Sequence, residues 1–194
     1  SWQAPEAIQD DDFGDTPVVF LGPNNHNWLA VGNKDGYLYV LDTTAITAGP
    51  VWKLKMANGG GNPIKGIIAP TAFLAGSVTN PSSGQTCAHG VLFLAAGNTT
   101  LAGKAVGGSI SAMCADTGAI LWQSGTTGLV WAAPTLANGL LADQQGKTEE
   151  LRDWTTGQVL QHFTLSQNIY DAATFANSRL YVGANDHALY AFGL

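Results

Sequence analysis

GNKDGYLYVLD (Gly32–Asp42) and GANDHALYAFG (Gly183–Gly193) share glycine, aspartate, leucine and tyrosine at the same offsets: Gly32/Gly183, Asp35/Asp186, Leu38/Leu189 and Tyr39/Tyr190. Each phrase reads as a short strand, a Gly/Asn/Asp turn and a second strand whose apolar residues alternate. A chain that repeats one hairpin near its start and at its end invites a search for further copies. APTAF (69–73) matches APTLANG (133–139), AATFANS (172–178) and TPVVF (16–20), and each opens a run of two more apolar strands. A third element follows those strands. AMCADTGAILW (112–122) and LRDWTTGQVLQ (151–161) place Thr-Gly at the same offset, and VLDTTAITAGPVW (40–52) is that element with two extra residues. A strand enters a polar turn, glycine supplies a positive φ, and a fourth strand returns.

Four antiparallel strands per unit, repeated around an axis, describe the blades of a β-propeller. The expectation is an all-β chain of about four such blades, spanning residues 13–56, 67–125, 130–165 and 170–194, the last ending after three strands. An edge lacking its fourth strand invites pairing with another segment. Either SWQAPEAI (1–8) closes a small ring, or another chain does; half of an eight-bladed propeller is the expected arrangement. The chain opens without an initiator methionine or a secretory leader, as processing or a larger precursor would give.

The 194 residues carry 8 Lys and Arg against 14 Asp and Glu, and only 11% of them are charged. A net charge of −6 without a basic cluster argues against a nucleic-acid partner. No apolar run approaches the length of a membrane span. DDDFGD (10–15) gathers four carboxylates without the periodic ligand pattern of a calcium loop and reads as a solvated acidic turn. NGGGNP (58–63) lacks a following Lys-Ser/Thr pair and reads as a connector. His26, His89, His162 and His187 are scattered without metal-ligand spacing, and nothing points to a hydrolytic triad. Cys87 precedes one strand and Cys114 ends the next. An antiparallel hairpin brings those positions together, so a disulfide is expected.

The element A-x-D-x-x-T-G-x-x-x-W resembles the tryptophan-docking motif of pyrroloquinoline quinone (PQQ) propellers. Ala112, Thr117, Gly118 and Trp122 match it with Cys114 at the aspartate, and Asp153, Thr156 and Gly157 match it with Gln161 at the tryptophan. DFGDTP (12–17) followed by KDGYLYVLD (34–42) resembles the start of the second half of polyvinyl-alcohol-dehydrogenase-like quinoproteins. That resemblance implies the C-terminal part of a PQQ-dependent alcohol dehydrogenase acting on a small alcohol or polyol. A missing half or partner chain would supply the calcium ligands and the catalytic aspartate. It also implies a periplasmic or extracellular setting, and cofactor contacts from Lys34 and Trp131. The resemblance is incomplete, because Ile67 and Ile68 stand where such enzymes carry Asn-Trp, and the adjacent-cysteine disulfide is absent. The alternative it leaves open is a quinone-free propeller that serves as a protein-docking scaffold, or a unit that self-associates through its open faces.

Overall fold

The computed structural model describes residues 1–5, 11–60 and 65–194. Sheet one joins β1 (Val18–Leu21), β2 (Asn27–Gly32), β3 (Tyr37–Asp42) and β4 (Trp52–Lys55) in chain order. Sheet two contains β5 (Ala72–Leu74), then an excursion formed by the small hairpin β6 (Val78–Thr79) and β7 (Thr86–Cys87). It continues with β8 (Val91–Leu101), β9 (Lys104–Cys114) and β10 (Ile120–Thr126), in the order β10-β9-β8-β5. Sheet three is β11 (Thr135–Ala137), β12 (Leu140–Gln145), β13 (Thr148–Asp153) and β14 (Val159–Thr164). Sheet four holds β15 (Thr174–Ala176), β16 (Arg179–Gly183) and β17 (Leu189–Gly193), three strands among the described residues.

All pairings within the four sheets are antiparallel. The short first strands β1, β5, β11 and β15 approach one another in succession, so they line the inner side of the arc. Between successive sheets lie the apolar cores. Phe20, Leu38 and Val40 of sheet one meet Leu92, Leu94 and Met113 of sheet two. Phe93, Ile110 and Ala112 meet Leu141 of sheet three, and Ala142 and Leu151 meet Leu180 and Val182 of sheet four. This is the partial propeller expected from the repeats.

The repeated hairpin now has a cause. Asp35 Oδ1 accepts the Tyr37 N–H at 2.8 Å and its Oδ2 accepts the Tyr39 hydroxyl at 2.5 Å. Asp186 does the same with the Ala188 N–H at 3.2 Å and the Tyr190 hydroxyl at 2.5 Å. The aspartate fixes the turn, and the tyrosine four residues on locks the aspartate.

Indoles join the sheets. Trp52 at the start of β4 donates its Nε1–H to Ala115 O at 3.2 Å, and its ring covers Gly118. Trp122 in β10 donates to Trp154 O at 2.9 Å and covers Gly157. Both glycines have positive φ, +71° and +73°, and a Cβ on either would lie within 3.0 Å of the ring above it. The Thr-Gly turn is therefore both a bend and a seat for the preceding sheet's tryptophan. At the position in β14 where the ring is missing, Gln161 pairs with Leu151.

Cys87 and Cys114 are bonded, with their Cα atoms 4.9 Å apart and a separation of 27 positions in sequence. The bond ties the β6–β7 excursion to the end of β9. Closing a loop of this size stabilises by about 3 kcal/mol. A reducing agent should thus lower the unfolding free energy measured by urea titration by about that much, and a Cys87→Ser/Cys114→Ser variant should be indifferent to it.

Candidate functional site: the open end of sheet one and the hairpin end of the arc

Each linker between sheets crosses the hairpins that join second and third strands. Ile67 N–H donates to Asn33 O, Gly146 N–H to Leu129 O, and Ile169 N–H to Gly146 O. Lys34 and Trp131 both belong to this end. Lys34 sits in the β2–β3 hairpin. Trp131 is tied beside the β12–β13 hairpin by Gln144, whose Oε1 accepts the N–H groups of Trp131 at 3.1 Å and Ala132 at 3.3 Å.

Lys34 is not a solvated turn residue. Its side chain is 14% exposed, its Nζ lies 2.8 Å from Asp12 Oδ1, and its backbone N–H donates to Asp12 O. The acidic stretch is likewise not a free solvated turn. Asp12 holds Lys34, and Asp11 O accepts the Asn33 side-chain amide at 3.1 Å. Asp15 Oδ2 accepts the Gly32 N–H at 2.8 Å. Burial pushes the Asp15 carboxyl up to about 7, against the Gly32 hydrogen bond. Asp10 and residues 61–63 of the glycine-rich connector lie outside the described residues.

The Trp131 ring packs on Tyr170 with centroids 4.9 Å apart. Tyr170 is half exposed, and the Trp131 indole N–H is buried without an acceptor. Sequence reasoning missed Tyr170, which lies in a linker and bears no repeat signature. Among the described residues no three carboxylate, imidazole or thiol groups gather closely enough to hold a metal ion. The buried Ile67, where quinoprotein dehydrogenases would place a polar residue, packs in the core shared by sheets one and two.

The sequence named SWQAPEAI (1–8) as a segment that could close the ring, but not the seat that its Trp2 takes. The Trp2 ring lies over Gly49, where a Cβ would be 3.3 Å from the indole nitrogen, and beside Tyr39 at 5.2 Å and Phe13 at 6.4 Å. Gly49 holds in sheet one the place that Gly118 and Gly157 hold in sheets two and three. Trp2 thus occupies the seat of a tryptophan belonging to a preceding sheet. Along Trp2–Pro5 burial alternates half-buried, exposed, half-buried, exposed, as it does along β4 from Trp52 to Lys55. The available signal was Trp-Gln in SWQA, which repeats Trp-Gln in LWQS (121–124). Next to Trp2 an apolar hollow of about 310 Å³ is lined by Phe13, Pro17, Leu29, Val31, Leu41 and Ile46, with Asp15 at its side.

Blade three holds the main charged cluster. Arg152 Nε lies 2.6 Å from Asp143 Oδ1, Nη2 meets Glu150 Oε2, and Nη1 donates to Ser124 Oγ at 3.2 Å and Gly157 O at 3.0 Å. The guanidinium therefore bridges sheets two and three beneath the Trp122 seat. Burial pushes the Asp143 carboxyl up to about 7 against the pull of Arg152. Across the sheet, burial pushes Glu149 up to about 9, with the Asp143 and Glu150 charges adding to the rise. Its Oε2 is buried without a donor. A carboxyl whose folded pKa exceeds its unfolded value contributes stability at low pH, and loses it as pH rises towards the folded value. Between pH 4.5 and about 9 Glu149 therefore lowers stability, by at most about 1.4 kcal/mol per pH unit. Glu149→Gln should flatten this slope, and its denaturation midpoint should exceed that of the parent more at pH 8.5 than at pH 5.

The docked indoles and antiparallel four-stranded sheets define a β-propeller segment. No family model and no curated protein matches the sequence. Among solved structures the chain is similar to the computationally designed Ika4 protein, with TM-score 0.62 at 14% identity over 99% of both chains. It is similar to Sqt1 of Saccharomyces cerevisiae, with TM-score 0.66 at 14% identity over 94% of this chain and 46% of Sqt1. A europium-containing methanol dehydrogenase gives TM-score 0.51 at 16% identity over 91% of this chain and 38% of the enzyme. The chain thus spans less than half the length of the latter two. Likeness at these identities concerns the fold, which it supports as propeller-like.

Proposed function

We propose that this chain is a propeller scaffold whose binding surface is the open face of sheet one, and that its occupant is a further propeller sheet lacking its own fourth strand. One observation carries the reading: Trp2 sits on Gly49 as the trailing indole of a preceding sheet would, and no strand pairs with Trp2–Pro5 among the described residues. The adjoining hollow is apolar, as the faces between successive sheets are. Burying such surface is worth roughly 25 cal/mol per Å². The disulfide suits an oxidising compartment, so the protein is assigned to the periplasm or the extracellular space.

A photo-reactive benzoylphenylalanine at Ile46 tests this. The expected cross-linked peptide comes from a strand of a propeller sheet outside sheets one and two. Adducts confined to Trp2, Phe13 and their neighbours would contradict the reading.

A second reading is favoured by the Trp131–Tyr170 pair, two aromatic rings inclined at 37° whose Tyr170 member is half exposed, at the same end of the sheets as Lys34. Here the chain is the C-terminal part of a PQQ-dependent alcohol dehydrogenase of the polyvinyl-alcohol-dehydrogenase-like kind, completed by another half. When bound, PQQ would accept hydride from a small alcohol or polyol. Trp131 and Tyr170 fit the border of such a heterocycle. The described residues do not fit calcium, and the Lys34 charge is already balanced by Asp12. Titration with PQQ alone decides: saturable quenching of tryptophan fluorescence, lost in Trp131→Phe, supports this reading, and quenching unchanged in that variant removes it.

A further inference from the structure

We infer that Glu149 is a proton-dependent latch for the linker that carries Trp131. While the carboxyl keeps its proton, Gln144 holds that linker. Once ionised, the carboxylate draws the Gln144 amide to itself and the Trp131 end of the linker is released. The inference goes beyond both readings above and depends on neither.

Two neighbouring glutamines clamp the linker between sheets two and three. Gln144 Oε1 accepts the Trp131 and Ala132 N–H groups, and its Nε2 donates to Gly146 O at 2.8 Å. Gln145 Oε1 accepts the Thr127 N–H at 3.1 Å, and its Nε2 donates to Glu150 Oε1 at 2.6 Å. Glu149 stands directly across the β12–β13 ladder from Gln144, and each is only 1% exposed. Residues paired in this way share a face, with their Cβ atoms about 5 Å apart. It is the face on which Ala142 and Leu151 meet sheet four.

Glu149 Oε2 is buried there without a donor. Both nearby cations are engaged elsewhere. Lys147 of the adjoining hairpin donates to Ser166 O, and Arg152 lies on the opposite face with Asp143 and Glu150. His162 of β14 is paired with Glu150, on that opposite face as well. Asp171 in the linker after β14 is exposed, and Asp186 of sheet four holds the Tyr190 hydroxyl at 2.5 Å. Burial, with the Asp143 and Glu150 charges behind the sheet, keeps Glu149 protonated up to about 9. Above that value the carboxylate needs a donor. β14 sets Phe163 beside it, sheet four brings Val182 and the committed Tyr190, and only Gln144 has an amide to offer. An amide is one rigid plane, so turning Nε2 to Glu149 takes Oε1 from the Trp131 and Ala132 N–H groups. Thr127 stays fastened by Gln145, and the change is confined to Trp131 and its contact with Tyr170.

The chain is labelled with 5-fluorotryptophan, and the Trp131 signal is assigned by its loss in Trp131→Phe. Between pH 6 and 10 that signal should shift with a midpoint of about 9, while the other tryptophan signals hold their positions. In Glu149→Gln it should keep its pH 6 position throughout. In Gln144→Leu it should stand at the released position already at pH 6. A Trp131 signal that stays fixed in the parent, or that shifts alike in the parent and in Glu149→Gln, overturns the inference. So does a simultaneous collapse of all the fluorine signals, which would report unfolding of the chain in place of the release of one linker.

Discussion

Gly157→Ala should destabilise the chain by about 3 kcal/mol, combining an alanine at positive φ, roughly 1–2, with overpacking, roughly 1–3. The added methyl would lie 2.5 Å from the Trp122 ring, on a residue whose φ is +73°. The loss has a signature that a merely strained turn would lack. If the indole is the obstacle, Trp122→Leu should relieve part of the alanine's cost, and the double variant should be more stable than the sum of the singles predicts. Urea unfolding of the four members of this cycle measures it. Strict additivity would mean that the ring and the turn do not meet.

Arg152→Met should cost about 3–5 kcal/mol, because it removes one partner from a buried charge cluster and leaves the others in place. The Arg152 and Asp143 side chains are 3% and 1% exposed, and the guanidinium also holds Ser124 and the Gly157 carbonyl. Without the cation, the folded pKa of Asp143 should rise further, because Arg152 is what pulls it down against burial. Stability in the variant should then fall more steeply as pH increases from 5 to 8, making the deficit largest at the alkaline end. Replacing all three charges together, Arg152→Met with Asp143→Leu and Glu150→Leu, should recover most of the loss. A deficit below 1 kcal/mol, or one independent of pH, would show that the cluster is not the bridge between sheets two and three described above.

The repeated elements were legible because their chemistry is local. Asp35 and Tyr39, or Thr117, Gly118 and Trp122, lie within one hairpin or turn, so their spacing survives in the sequence. The cysteine pairing was legible for the same reason, since hairpin connectivity alone brings the two residues together. The β6–β7 excursion was not, because GSVTNPSSGQT (76–86) is turn-forming throughout and its two-residue strands lack periodicity. Nor was the Arg152 cluster, because TEELRD (148–153) reads as a solvated strand until sheets two and four cover its two faces. Trp2 escaped because the seat that identifies it, Gly49, is 47 positions away in a turn carrying two extra residues. Lys34 was correctly placed in the hairpin but its surroundings were not, since Asp12 reaches it from a segment with no strand of its own.

Everything proposed here depends on indoles seated on the glycines of the following sheet, Trp2 among them. A nuclear Overhauser spectrum of the intact chain reads those contacts directly. The α-protons of Gly49, Gly118 and Gly157 should resonate upfield of ordinary glycine, with cross-peaks to the ring protons of Trp2, Trp52 and Trp122 respectively. Ordinary shifts and no cross-peaks at Gly118 and Gly157 would contradict the propeller packing. Their absence at Gly49 alone would leave the fold standing and remove the basis for a partner at the open face.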